Sequence, residues 1–154
     1  MRLYFLRHGM AQERQLGLSD AQRALVPEGI HKTQRLAARL ADYGVTPAAI
    51  YSSPLVRAHQ TAAIVATHLE MDIHMVDSLA PGFDSRALQA LVDQHAEDDD
   101  IMLVGHEPDF SSTISYLIGG GNISVKKGSL ARIDLNSIHP LYGSLVWLVS
   151  PRVI

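Results

Sequence analysis

Two stretches of this chain, Leu3-Tyr4-Phe5-Leu6 and Ile101-Met102-Leu103-Val104, are apolar at every position. A strand with one wet face alternates apolar and polar side chains. An unbroken run of four therefore asks for a sheet covered on both faces. Ala48 to Ser53 offers a weaker third strand of the same kind. Between these runs the apolar residues recur at helical spacing, over Pro27 to Tyr43, Pro54 to Leu69, Ser85 to Ala96 and Pro108 to Ile118. In the first of these, Ile30, Leu36, Ala37 and Leu40 share one face, while Lys32, Arg35 and Arg39 point elsewhere. Three of the four begin with proline, and Gly44 and Gly119 supply stops. Two further strands are predicted at Ser129 to Leu135 and Leu145 to Ser150, joined by a turn-rich segment. Alternation of this sort predicts an α/β protein, a three-layer αβα sandwich on a mixed, mostly parallel sheet. The acidic Glu97 to Asp100 and the Gly119 to Asn122 run read as solvated connections.

No internal repeat or linker divides the chain, and 154 residues, 47% of them hydrophobic, suffice for one well-cored domain spanning 1–154. A formal charge of -3 gives no electrostatic case for nucleic-acid or membrane binding, so any anion site must be local. Absence of cysteine excludes disulfides and thiolate metal sites and fits a reducing cytoplasm. Neither a secretory signal nor an apolar run long enough to cross a bilayer is present in the sequence.

In an open sheet of this type, ligands bind beyond the carboxyl ends of the strands, where helix N-termini also gather. Arg7 and His8 end the first strand. Ser52 and Ser53 follow the second, with Arg57 in the first turn of the next helix, and His106 follows the apolar run at 101–104. All four chemistry-bearing groups are thereby placed on one edge. Two guanidinium forks and two imidazoles suit an anion, and phosphate best of all. Taken singly, each has an ordinary reading: a hydrogen-bonded strand-end histidine, a helix-surface arginine, and, for Glu107, a carboxylate complementing a helix dipole. Their coincidence on one edge carries the functional reading. His31, His59, His68, His74, His95 and His139 read as surface or boundary residues, and none belongs to a short-spaced metal motif.

The stretches "LRHGMA", "SSPLVRAHQTA" and "LVGHEPD" resemble the three signature segments of the histidine phosphatase superfamily, which includes the cofactor-dependent phosphoglycerate mutases. "PEGIHKTQRLAARL", "KGSLARIDL" and "GSLVWLVSP" extend the likeness over nearly the whole chain, and its small size is similar to that of SixA-type phosphohistidine phosphatases. The resemblance implies a phosphoglycerate mutase-like fold and His8 as nucleophile, forming a transient phosphohistidine that water hydrolyses. Arg7, Arg57 and His106 would complete the pocket as preorganised donors to the phosphoryl oxygens. For attack, His8 must be neutral, its second ring nitrogen donating to a fixed acceptor such as a backbone carbonyl near Gly9. Gly9 is expected either to let the backbone approach the oxyanion or to serve as a turn glycine. Ser53 has the position of an N-cap for the helix bearing Arg57.

Larger superfamily members place a glutamate after the third strand to protonate an alcohol leaving group, and none stands at that place here. Asp84 is the nearest carboxyl, and Glu107 and Glu13 are the other acids near the motifs. A phosphohistidine needs such an acid less, because its imidazole leaves readily once protonated near neutral pH. The favoured expectation is thus a phosphatase acting on phosphohistidine of a partner protein, such as a histidine phosphotransfer domain. Short loops should leave the pocket shallow and open to it. Lys126 and Lys127 are available to an acidic partner surface or form an ordinary solvated loop. No metal or organic cofactor is expected, the arginines doing the charge work. Two other readings stand beside it: a general phosphomonoesterase for small metabolites, and a catalytically silent phosphate-binding module.

Overall fold

The computed structural model describes residues 1–153. In chain order the elements are β1 (Arg2–Arg7), α1 (Pro27–Asp42), β2 (Ala49–Ser52), α2 (Val56–Leu69), β3 (Ile73–Met75), α3 (Ser85–Val92), β4 (Ile101–Gly105), α4 (Asp109–Leu117), β5 (Leu130–Ser137) and β6 (Tyr142–Val149). Single 3-10 turns lie at Asp20–Gln22 and Asp77–Leu79. The strands form one sheet in the order β3-β2-β4-β1-β5-β6. β1, β2, β3 and β4 run parallel, while β5 and β6 are antiparallel additions.

The unbroken apolar runs have the cause the sequence suggests. On β1, Leu3 and Phe5 face one core with Ile101 and Leu103, closed by Leu88 of α3 and Phe110 and Ile114 of α4. Tyr4 and Leu6 face the other, with Met102 and Val104, closed by Leu36 and Leu40 of α1 and Val65 of α2. Each of these side chains contributes roughly 1.5–3 kcal/mol through burial, so neither face of β1 or β4 tolerates a polar substitution. The three-layer αβα arrangement is therefore present, with a mixed sheet at its centre.

Several boundaries differ from expectation, each for a local reason. α2 begins at Val56, because Leu55 stays extended and holds the N-cap position. Pro108 is the N-cap of α4 and Asp109 its first residue, so only Pro27 occupies a first helical position. α3 stops at Val92, since Asp99 accepts from the Ala96 N–H and His95 and closes a separate turn. β3 was not foreseen: three residues at a sheet edge, only Ile73 partly covered, carry no period. β5 and β6 are longer than expected and leave only Ile138 to Leu141 between them. Ile30, assigned to the apolar face of α1, is exposed. Asp100 is more than solvated, because its carboxylate accepts from the Arg2 N–H at 2.9 Å and pairs with the Arg2 guanidinium, fixing the start of β1 beside β4.

One close approach sets the position of the loop after β1. A Cβ at Gly29 would stand 2.2 Å from the Met10 carbonyl oxygen, so α1 can reach this loop only with a glycine there. A Cβ on Gly9 would meet Thr33 Oγ1 at 2.9 Å and the Gly29 carbonyl at 3.3 Å. The first turns of α1 thus act as a wall for His8-Gly9-Met10.

Candidate active site

β1 and β4 are parallel neighbours in register, with Arg7 opposite Gly105, so the residues that follow them leave the sheet side by side. The His8 N–H donates to the Gly105 carbonyl (3.1 Å), and the Ser53 N–H donates to the Val104 carbonyl (3.0 Å). Three parallel strands therefore deliver His8, His106 and Ser53 to one place. The His8 and His106 rings lie with centroids 5.3 Å apart. Arg57 joins them from the first turn of α2, its Nε–H donating to His8 Nε2 at 3.2 Å. His8, Arg57 and His106 are only 5%, 4% and 3% exposed, so the expected shallow, open floor is in fact nearly covered. Arg7 is partly exposed and donates through one terminal nitrogen to the Val125 carbonyl (2.9 Å).

His8 is fixed at both nitrogens. Its Nδ1 lies 2.8 Å from the Gly9 carbonyl, an acceptor only, which assigns the ring proton to Nδ1. Nε2 then carries a lone pair, as the donation from Arg57 requires. Burial, opposed by the Gly9 hydrogen bond and reinforced by the charges of Arg57, His106 and Arg7, pushes the His8 pKa down to about 3. The imidazole is neutral throughout the physiological range. His106 is pushed down to about 4, again chiefly by burial, with Arg57 the next cause. Burial also lowers Arg7 and Arg57, and the Asp20 carboxylate opposes it at Arg57.

Ser53 Oγ accepts from the Leu55 N–H (3.2 Å) and lies 2.7 Å from His106 Nε2. Ser53 is thus a partner of His106 rather than the N-cap of α2. Where the hydroxyl donates to Nε2 the His106 proton sits on Nδ1, and where Nε2–H donates to the hydroxyl Nδ1 carries a lone pair. His106 Nδ1 and Arg7 Nε are both buried and without a protein partner among the described residues. Each unmatched buried polar group costs about 1–3 kcal/mol. The two flank His8 in sequence or in space, and a phosphoryl group offers the acceptors that Arg7 Nε and a protonated Nδ1 lack.

Sequence reasoning missed Asp20. Its backbone carbonyl accepts from one Arg57 terminal nitrogen (2.7 Å) and its Oδ2 from the other (3.1 Å). Burial alone would raise the Asp20 carboxyl, but the charges and N–H donors of Arg57 and Arg23 outweigh it and hold the group below its ordinary value. Asp20 is therefore an ionised anchor for Arg57 and unsuited to giving up a proton. The Gln60-Thr61 pair inside the second motif also has a task not foreseen. Thr61 Oγ1 accepts from the Gly9 N–H (3.0 Å) and Gln60 Oε1 from the Leu25 N–H (2.7 Å), so α2 grips both ends of the loop between β1 and α1, residues 8–26, here the covering loop because its Asp20 bonds Arg57. Gly9 thus has its N–H already bonded, and its missing Cβ serves contact with α1.

The carboxylates named as acids are held elsewhere. Asp84 Oδ1 caps α3, accepting from the Arg86 and Ala87 N–H groups at 3.0 Å. Both oxygens of Glu107 accept from Ser111, through its N–H and its hydroxyl, although the Glu107 charge is felt at Arg7. Glu13 lies exposed on the covering loop. Among the described residues no cluster could hold a metal ion, and no helix is long and apolar enough to cross a membrane. A cavity of about 530 Å³ lies between the C-terminal end of α1 and the β5–β6 edge and includes none of the four site groups.

The depressed histidines make stability depend on pH. Below about 6.5 the unfolded chain binds protons that folded His8 and His106 refuse, so stability is complete above that value and falls as pH drops. Two such groups are expected to cost on the order of 5 kcal/mol by about pH 4.5. Urea midpoints across this interval should fall steeply for the parent and flatten for a His8→Gln, His106→Gln double variant. An equally steep fall in the double variant would refute the account.

Residues 3–80 match the model of the histidine phosphatase superfamily (branch 1). An uncharacterized protein of Picosynechococcus sp. is 35% identical over 99% of this chain and 98% of its own length. Among solved structures, the protein histidine phosphatase SixA complexed with tungstate superposes with a TM-score of 0.87 at 24% identity, covering 99% of both chains. A candidate phosphohistidine phosphatase SixA from Agrobacterium tumefaciens gives 0.83 at 26% identity, covering 97% of this chain and 98% of the other. A mycobacterial glucosyl-3-phosphoglycerate phosphatase gives 0.74 at 18% identity, covering 94% of this chain and 96% of that one.

Proposed function

The chain belongs to the histidine phosphatase superfamily, and from that footing we propose that it hydrolyses phosphohistidine on a partner protein through a phosphorylated His8. The observation that carries this reading is the state of His8: neutral, its proton committed to the Gly9 carbonyl, its Nε2 lone pair met only by a donor, Arg57. In the first step Nε2 attacks phosphorus. The bond between phosphorus and the substrate imidazole breaks, its electron pair stays on the departing ring nitrogen, and the ring leaves as neutral imidazole because its other nitrogen already carries a proton taken from solvent. The positive charge that develops on His8 is shared with the Gly9 carbonyl through Nδ1–H. Arg57 turns from Nε2 to the phosphoryl oxygens, with Arg7 and His106 Nδ1 as the other donors, so charge is stabilised where it develops. Water then attacks phosphorus, the bond to Nε2 breaks, His8 recovers its lone pair and inorganic phosphate leaves.

Two features favour a phosphoramidate over an alkyl ester. Asp84, Glu107 and Asp20 are each held by other groups and so are not free to protonate an alkoxide. The imidazole of a phosphohistidine can instead be protonated on its other ring nitrogen by solvent near neutral pH and depart as a neutral ring, with no acid from the site. The similarity to SixA, whose structure carries tungstate, supports the same choice. The likeness to a glucosyl-3-phosphoglycerate phosphatase is one of fold.

The test compares kcat/KM for a phosphohistidine-bearing protein, a sugar phosphate and an aryl phosphate. Phosphohistidine should exceed the sugar phosphate by at least about a hundredfold. Dominance of the sugar phosphate would overturn the reading in favour of a metabolite phosphomonoesterase. Failure to turn over any of the three would favour a binding module.

A further inference from the structure

Beside the four site groups runs a groove of about 310 Å³, and five cations line it: Arg7, Lys32, Lys126, Lys127 and Arg152. They come from the end of β1, from α1, from the loop before β5 and from the turn after β6, in a chain whose overall charge is -3. We propose that this groove docks an acidic segment flanking the phosphohistidine of the protein substrate; the proposal rests on the function given above.

The lysine turn is tied to the nucleophile itself. The Gly128 N–H donates to the His8 carbonyl (2.9 Å), the Arg7 N–H to the Ser129 carbonyl (3.0 Å), and the Arg7 guanidinium to the Val125 carbonyl (2.9 Å). The Ser129 N–H closes the turn on the Lys126 carbonyl at 2.8 Å. Gly128 holds the left-handed region at φ +71°, and a Cβ there would stand 2.9 Å from Pro151 Cγ, so the lysine turn and the Arg152 turn pack as one unit. Lys126 and Lys127 thus present their charges at a fixed place next to His8, although their side chains are free to sweep.

Their charge is also unused within the chain. Arg2, Arg23, Lys32 and Arg132 each have a carboxylate partner within 4 Å. Among the described residues, Lys126 and Lys127 form no such pair, and Arg152 is felt by Glu28 only at longer range. The cations are strung over four segments of the chain, and apart from Arg7 they sit on long flexible stems. That arrangement suits carboxylates spaced along a polypeptide better than a single small anion.

Two peptides test this, identical except for glutamate or glutamine residues around one chemically phosphorylated histidine. At low salt the parent should show about a tenfold higher kcat/KM for the glutamate peptide, and about 0.5 M salt should remove the preference. A Lys126→Ala, Lys127→Ala variant should lose that preference and keep phosphoramidate turnover within about twofold of the parent. Equal turnover of both peptides by the parent, or a preference that survives in the variant, would overturn the docking surface while leaving the function intact. If neither peptide is hydrolysed and a sugar phosphate is, the function fails and the docking surface fails with it.

Discussion

His8→Ala should reduce phosphohistidine hydrolysis by at least about a thousandfold. It should also abolish the covalent label that the parent acquires when quenched during turnover of a radiolabelled phosphohistidine donor. The size follows from what the side chain alone supplies: a neutral imidazole whose lone pair is oriented by the Gly9 carbonyl on one side and by Arg57 on the other. Water entering the space left by the ring would be neither oriented nor comparably nucleophilic. Inorganic phosphate should still bind, because Arg7, Arg57 and His106 keep their donors. A label found on His106 in the parent would transfer the nucleophilic role to that ring. Full activity without His8 would dismiss covalent catalysis altogether.

The parts of this site legible in the sequence are those fixed by the strands. Arg7, His8 and His106 each follow an apolar run, and parallel strands in register must release such residues at one edge. Arg57 could be placed because the chain re-enters a helix directly after β2. Asp20 could not, since its contact with Arg57 spans 37 positions and depends on the path of an irregular loop. The same is true of Gly29, which reads as an indifferent helix residue until the Met10 carbonyl is seen against it. Ser53 was read locally, as a cap, when its partner is the ring of His106, 53 positions away. Local period and strand ends survive the passage from sequence to structure, whereas polar partners chosen by loop geometry do not.

Arg57 is where these two kinds of information meet, and its loss should be nearly as damaging as that of His8. Arg57→Ala is expected to lower kcat/KM by about 10³- to 10⁵-fold, the range for removing an arginine that stabilises phosphoryl transfer. Three of its five N–H donors are engaged at rest, one on His8 Nε2 and two on Asp20, which leaves two in a fixed plane for phosphoryl oxygens. Lysine has no such fork, so Arg57→Lys should recover little of the loss. Asp20→Ala should be milder, about tenfold, because it releases the guanidinium without removing it. Removing the Arg57 charge should also let His8 titrate higher, a shift that ring-proton NMR can follow and that reports the guanidinium's nearness to the ring. Turnover by Arg57→Ala within about tenfold of the parent would mean that the bond seen between Arg57 and His8 holds the resting site together and takes no part in the transfer.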